Sequence, residues 1–173
     1  MKSIFLRLLL VILVFIGIIW AIGCFIPRDY SIQSTIEIAA PSEDVFSMIN
    51  ELPNWQDWSP WGTEGINVKY SGESAGKGSI QTWADPRGDG KLWITESQPT
   101  ERVAYQMVVA GFPEMSGNFL IEPKGESSRV TWSSEGTLPS GAFYGYFSFL
   151  FGPAMKARYD FGLGKLKENL EGS

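Results

Sequence analysis

Carboxylates and tyrosines are the side chains of this sequence that could take part in acid–base chemistry. Histidine, the commonest general base, is absent, and the one cysteine, Cys24, lies inside an apolar run. A site built on histidine or on a cysteine nucleophile is therefore excluded. The candidates that remain are Asp57, Glu96 and Glu135 as acids or bases and Tyr105 as a hydrogen-bond donor. Because no two of them form a convincing catalytic pair, we assign no catalytic residue and expect a binding function rather than an enzyme.

Glu96 is the most informative of these acids because of its place in a strand pattern. Leu92, Ile94 and Glu96 alternate with other residues, so they share one face of a predicted strand. If Leu92 and Ile94 point inward, the carboxylate lies near the rim of an interior cavity, where buried carboxylates often mark function. The alternative is that Glu96 ends its strand in solvent or pairs with Arg102.

The composition of the chain limits its partners and cofactors. The 173 residues include 14 Lys and Arg against 19 Asp and Glu, for a net charge of -5, and no broad basic patch is visible. This argues against nucleic acid as a partner. A single cysteine allows no intramolecular disulfide, and without histidine the commonest metal ligand is missing. We therefore predict no metal and no cofactor.

Residues 1–29 are predicted to form a membrane anchor. Nineteen residues from Leu8 to Ile26 carry no charge, and a helix of that length rises about 28 Å, close to the thickness of a bilayer's hydrocarbon core. Lys2 and Arg7 precede the run, so the positive-inside rule places the N-terminus in the cytoplasm and the following domain outside it. Two alternatives stay open: a cleaved signal peptide, and a lipoprotein signal with lipidation at Cys24.

Residues 30–173 have the pattern of one antiparallel α+β domain. Polar and apolar residues alternate from Ser31 to Ala39, two short helical segments follow, and the period switches to that of a helix from about Phe151 to Leu170. The segment Arg87–Gly90 supplies turn chemistry between strands. The predicted strands between the helices cover residues 67–71, 78–84, 91–97, 103–109, 116–123 and 129–136.

Strand parity predicts which side chains point toward the C-terminal helix. Polar residues such as Gln106 mark the outer face, so their neighbours point inward. The inward set of ligand-cavity candidates is Ile94, Tyr105, Met107, Phe119, Ile121 and Trp132, opposite Met155 and Tyr159 of the helix. A packed core would have the same composition. We favour a pocket, in which Tyr105→Phe would weaken ligand binding and leave stability almost unchanged.

Three tryptophans stand close together in the segment NWQDWSPW, residues 54–61. Tryptophan is large, and its indole N–H usually needs a hydrogen-bond partner when it is buried. The three side chains either plug the end of the core or frame the mouth of a cavity, and they need not act alike. Trp58 and Trp61 join the list of ligand-contact candidates.

The sequence resembles the SRPBCC superfamily, which has the START-like, birch-pollen-allergen-like helix-grip fold. The resemblance rests on IEIAAPSEDVF at residues 36–46, NWQDWSPW at 54–61, ITESQPTERV at 94–103 and GLGKLKENL at 162–170. It covers roughly Ser31 to Leu170 and is nearest to the polyketide cyclase/dehydrase and lipid-transport branch. The resemblance implies a curved antiparallel sheet of about seven strands around a long C-terminal helix, with hydrophobic ligands bound between sheet and helix. By the same analogy the tryptophans lie at the cavity mouth.

Three functions are consistent with these observations. The first is a membrane-tethered module that binds a lipid or another hydrophobic small molecule. The second is an enzyme of the cyclase/dehydrase type, which the absence of histidine disfavours. The third is a protein-interaction domain like the chaperone-ATPase activators that share the fold.

Overall fold

The computed structural model describes residues 2–61, 66–84 and 88–172, so Arg87 of the predicted turn lies outside the described residues. An apolar helix precedes an α+β domain. The elements, in chain order, are α1 (Lys2–Phe25), β1 (Asp29–Ile38), α2 (Ser42–Asn50), a 3-10 turn (Leu52–Asn54), α3 (Trp55–Trp58), β2 (Asn67–Gly72), β3 (Ser79–Ala84), β4 (Gly90–Gln98), β5 (Arg102–Val109), β6 (Met115–Lys124), β7 (Ser127–Thr137) and α4 (Ala142–Glu171).

The seven strands form one antiparallel sheet in the order β1-β7-β6-β5-β4-β3-β2. The first and last strands in sequence are therefore neighbours, with Ile32 opposite Ser134 and Ile36 opposite Val130. Helix α4 packs mainly against β1, and α3 packs against α4. This arrangement confirms the predicted fold class, an α+β helix-grip fold with a long C-terminal helix and a preceding apolar helix.

The alternation within the strands decides which side chains form the core. On β5, Val103, Tyr105 and Met107 are buried while their neighbours are partly exposed. On β6 and β7 the same parity buries Phe119, Ile121, Val130 and Trp132. Since successive residues of a strand point to opposite faces of the sheet, the predicted inward set lies on one face, toward α4.

A β-bulge in β4 changes the predicted orientation of Glu96. Ile94 pairs with Tyr105, but the next paired residue, Glu96, lies opposite Ala104, so the register shifts by one residue at Thr95. The extra residue of a bulge reverses the parity of the rest of the strand. Glu96 therefore shares the outer face with Ala104, and the predicted place at the rim of an interior cavity was wrong.

Helix α4 is longer than the sequence pattern indicated. It begins at Ala142, whereas the helical period became visible only from about Phe151. The first turns are rich in aromatic residues on all sides, and such a segment shows no alternation between apolar and polar faces. Pro153 lies inside the helix, where its missing N–H removes one backbone hydrogen bond.

Helix α1 contributes nothing to the hydrophobic core. Within the described part of the chain, Ile4–Phe25 is the one helix long and apolar enough to cross a membrane, and its side chains are almost all exposed. The buried cluster that fills the space between sheet and α4 begins at Ile32 and ends at Leu166. The core is thus built from residues that follow α1.

We expect the fragment 28–173 to fold by itself, because every residue of the buried cluster lies within it. Its thermal unfolding, followed by near-UV circular dichroism, should show one sharp transition, as small single domains usually do. Buried Trp55, Trp58 and Trp132 provide the signal. A broad transition in the fragment, with a sharp one in the full chain, would show that α1 is needed for the core.

Candidate functional site

Six buried aromatic side chains fill the space between the sheet and α4. Trp132 of β7 stacks on Tyr159 of α4, with ring centroids 4.0 Å apart and ring planes at 4°. Phe119 of β6 lies on the other side of Trp132, at 4.7 Å between centroids. We call this set the aromatic cluster, and its members are Trp55, Trp58, Tyr105, Phe119, Trp132 and Tyr159.

The polar atoms of the aromatic cluster bond to one another. The indole N–H of Trp132 donates a hydrogen bond of 3.0 Å to the hydroxyl oxygen of Tyr105. The hydroxyls of Tyr105 and Tyr159 are also hydrogen-bonded to each other, and Ser134 links Tyr159 to Tyr30. Burial is the main cause that raises the pKa of Tyr105, Tyr159 and Tyr30. The phenols therefore stay neutral near pH 7 and form a short chain of hydroxyls in an apolar interior.

The ring of Tyr105 lies flat across Gly117, its partner on the neighbouring strand. A Cβ atom at position 117 would be 2.2 Å from Cζ of Tyr105, so only glycine fits there. Gly162 has a similar role on α4, where a Cβ would be 2.8 Å from Cδ of Pro60 and 3.0 Å from Cζ3 of Trp132. These two glycines let the aromatic cluster pack directly against the backbone of sheet and helix.

Two of the three tryptophans in residues 54–61 are structural. Both Trp55 and Trp58 are almost completely buried. The N–H of Trp55 donates to the carbonyl oxygen of Ile49 at 2.7 Å, and that of Trp58 donates to Met48 at 3.2 Å. These bonds tie α3 to α2 and satisfy both indoles. Trp58, a predicted ligand contact, thus plugs the end of the core.

Trp61 differs from the other two tryptophans. It is only partly buried, and its ring meets those of Trp132 and Tyr159 edge-on, at centroid distances of 6.3 and 6.4 Å. Its indole nitrogen is buried but has no hydrogen-bond partner among the described residues. The guanidinium of Arg158 lies 6.0 Å from the ring centroid, on the outer side. Trp61 therefore lies between the aromatic cluster and the surface.

The other inward candidates lie around the aromatic cluster. Ile94, Met107, Ile121 and Met155 are all buried in the same hydrophobic cluster. The structure thus brings ten of the eleven candidates together in one region, with Glu96 as the exception.

The three candidate carboxylates do not meet. Glu96 lies 3.7 Å from Arg102 and accepts a hydrogen bond from Gln98 on the outer face. Glu135 of β7 is on the outer face as well, while Asp57 belongs to α3. Within residues 2–61, 66–84 and 88–172, no three His, Cys, Asp or Glu side chains lie close enough to hold a metal ion. The arrangement offers hydroxyl donors in the interior, and none of these three carboxylates lies beside them.

A polar depression on the outer face of the sheet was not predicted from the sequence. Its volume is about 350 Å³, and residues of β1 and of β4 to β7 line it. Arg102 donates a hydrogen bond of 2.6 Å to Asn118 within it. The lining residues are Ser31, Thr95, Arg102, Ala104, Tyr105, Gln106, Ser116, Gly117, Asn118, Ser133, Ser134 and Glu135. The polar residues that point outward in the strand pattern were the signal that could have revealed this depression. Its polar lining does not suit an apolar ligand.

Solved structures of low sequence identity share this fold. DynU16, a putative protein in the dynemicin biosynthetic locus, is 14% identical with a TM-score of 0.58 over 82% of this chain, which spans only 47% of DynU16. TTHA0849 from Thermus thermophilus is 16% identical with a TM-score of 0.63, over 83% of this chain and 98% of that one. The Aha1 dimer from Colwellia psychrerythraea is 18% identical with a TM-score of 0.59, over 82% and 96%.

Sequence comparison identifies the family directly. None of the curated proteins compared with the chain matches it. The family model described as polyketide cyclase/dehydrase and lipid transport, however, matches residues 30–171, which is nearly the whole domain after α1. With its seven-stranded sheet, its C-terminal helix and the order of its sequence motifs, the chain belongs to the polyketide cyclase/dehydrase and lipid-transport family of the SRPBCC superfamily.

Proposed function

We propose that this chain is a membrane-anchored domain that binds a lipid or another hydrophobic small molecule between the sheet and α4. Small-molecule sites are mostly apolar with a few placed polar groups. The interior has this character, since aromatic and aliphatic side chains surround the hydroxyls of Tyr105 and Tyr159. The family description, which includes lipid transport, supports the same class of ligand.

The observation that carries this proposal is that the buried indole N–H of Trp61 has no hydrogen-bond partner among the described residues. The interior is filled by side chains, so a ligand must displace one of them. Trp55 and Trp58 are held by hydrogen bonds to backbone carbonyls, whereas the buried N–H of Trp61 has no such bond within the described residues. Trp61 is thus the member of the tryptophan segment that loses least on moving outward. A ligand that takes its place would contact Trp132 and Tyr159.

A second candidate function is an enzyme of the cyclase/dehydrase type. The buried, neutral hydroxyls of Tyr105 and Tyr159 favour it, because they could donate hydrogen bonds to a substrate carbonyl oxygen. DynU16, with the same fold, is assigned to a biosynthetic locus. The candidate bases Asp57, Glu96 and Glu135 do not accompany the hydroxyls, however, so none of these three is in place to abstract a proton.

A third candidate function, a protein-interaction domain, is favoured by the filled interior. A packed aromatic cluster needs no ligand and would present only its outer surfaces to partners. The Aha1 dimer shares the fold. Under this alternative the wild-type protein would contain no bound small molecule.

Two experiments test ligand binding. Native mass spectrometry of the full chain, extracted in detergent, should reveal a retained hydrophobic molecule. An apolar fluorescent probe titrated into the fragment 28–173 should show saturable binding, and Trp61→Ala should tighten it, because the side chain that the probe must displace is gone. Trp93→Ala, which removes a tryptophan from the outer face, serves as the control and should change nothing. If the wild type retains no molecule and binds no probe, the ligand-binding proposal is wrong.

The free energy of unfolding of a Tyr105 variant distinguishes a packed core around this residue from a ligand pocket. The hydroxyl of Tyr105 accepts a hydrogen bond from the indole N–H of Trp132, so the stability change that we expect differs from the one predicted from sequence. Tyr105→Phe leaves that buried N–H unpaired, so we expect a loss of about 1–3 kcal/mol in the free energy of unfolding. Urea unfolding of the fragment 28–173 measures it. Tyr70→Phe is the matched control, since its hydroxyl bonds to Gln56 at the surface. An equal, small change in both variants would mean that solvent or a ligand replaces the bond.

We further propose that residues 1–29 are an uncleaved anchor and that residues 30–173 lie outside the cytoplasm. The length of the apolar helix Ile4–Phe25 and the basic residues Lys2 and Arg7 before the uncharged run support this. Reporter enzymes fused to the C-terminus should be active only outside the cytoplasm. Activity only inside would reverse the orientation, and a mature N-terminus at or near Cys24 would show processing.

A further inference from the structure

The first half of α4 exposes an unusual amount of apolar surface. The fourteen residues 142–155 carry no charge. Phe143, Phe149 and Leu150 are 69%, 67% and 69% exposed, and Tyr146 is partly exposed beside them. We call these four side chains the aromatic patch. Contiguous exposed apolar surface of this kind marks a site of interaction with another molecule or with a membrane.

The aromatic patch lies directly beside the apolar helix α1. The hydroxyl of Tyr146 donates a hydrogen bond of 2.6 Å to the carbonyl oxygen of Ile19, and that of Ser148 donates one of 3.2 Å to Pro27. The two helices are in backbone contact where they cross, because a Cβ at Gly145 would be 1.9 Å from the carbonyl oxygen of Gly23. The position of α1 therefore fixes the position of the patch.

These contacts set the depth of the aromatic patch relative to a bilayer. Ile19 precedes Phe25, the last residue of α1, by six residues, or about 9 Å along a helix. If α1 spans the bilayer, the hydroxyl of Tyr146 lies at the level of its outer apolar turns. Interfacial helices bury their apolar faces about 5–10 Å into the boundary between headgroups and acyl chains. Tryptophan and tyrosine are enriched at this depth.

We propose that the first half of α4, residues 142–151, is a second membrane contact that lies in the bilayer interface beside α1. This inference rests on the anchor role proposed for α1, but it does not depend on whether the domain binds a ligand. Lipid is the occupant that the geometry favours over a protein, because the patch adjoins the exposed apolar side chains of α1 through the contact of Tyr146 with Ile19. The domain is then held against the bilayer by α1 and by α4.

The end of the uncharged segment agrees with a membrane contact that is limited to the first half of α4. The first charged residue after it is Lys156, which pairs with Asp160 at 2.8 Å. The β5–β6 loop, with Phe112 exposed, lies at the same end of the sheet as the start of β1, because the strands are antiparallel. Phe112 thus lies at the end of the sheet at which the chain passes from α1 into β1.

Spin labels on the full chain test the proposal. We would reconstitute the Cys24→Ala protein in vesicles of phosphatidylcholine and phosphatidylglycerol, with one label at Phe149→Cys. Matched labels at Val14→Cys, in the middle of α1, and at Gln33→Cys, on the outer face of β1, report lipid and water respectively. Collision rates with oxygen, which concentrates in lipid, and with a water-soluble nickel chelate are then compared.

We expect the oxygen-to-nickel ratio at position 149 to shift from the value at position 33 toward that at position 14. A ratio equal to that at position 33, with position 14 in lipid, overturns the membrane contact and leaves the anchor intact. A label at 149 that is shielded from both reagents shows coverage by protein and also overturns it. A water-accessible label at position 14 would remove the anchor itself, and with it this inference.

Discussion

The stacking of Trp132 on Tyr159 is the contact on which the rest of the domain depends. It joins the middle of β7 to the middle of α4, so it closes the sheet onto the helix. The close approach requires Gly162, since any side chain there would meet Trp132 and Pro60. The two large stacked rings stabilise the fold through the apolar area that they bury. Around this pair the other aromatic side chains have little freedom, and their polar atoms must find partners within the cluster.

Most of the fold could be predicted from the sequence, whereas part of the site could not. Strand alternation is a local property, so the burial of Tyr105, Phe119 and Trp132 followed from parity. Glu96 was misplaced because a bulge inserts one residue, and a bulge depends on how two strands pair rather than on a single strand's pattern. The partner of the Tyr105 hydroxyl could not be predicted either, because Trp132 is 27 residues away and meets it only through β6. The first half of α4 was not predicted to be helical, because its aromatic residues surround the helix and leave no alternation between apolar and polar faces.

A filled interior and a ligand-binding function are compatible in energy. Moving one large side chain such as Trp61 from its half-buried place into water costs no more than about 1.5–3 kcal/mol, the usual worth of a fully buried large apolar side chain. A hydrophobic ligand that buries a larger apolar area than the indole recovers this cost by the same relation. Tyr159, which meets Trp61 edge-on, then borders the vacated space, and burial raises the pKa of its hydroxyl, so that it remains a donor. Ligand size and one polar group would thus decide affinity.

Helix α4 connects the two proposed surfaces, and its geometry favours a ligand that comes from the bilayer. The half of α4 proposed to lie in the interface ends near Phe151, and Tyr159, which contacts Trp61, follows eight residues later, about 12 Å along the same helix. Each CH₂ group that leaves an apolar environment for water costs about 0.8 kcal/mol. A free lipid exposes its whole chain to water, whereas a lipid that moves between sites about two helical turns apart on α4 exposes only part of it. The close spacing of membrane contact and interior therefore favours a membrane lipid over a water-soluble aromatic molecule as the occupant.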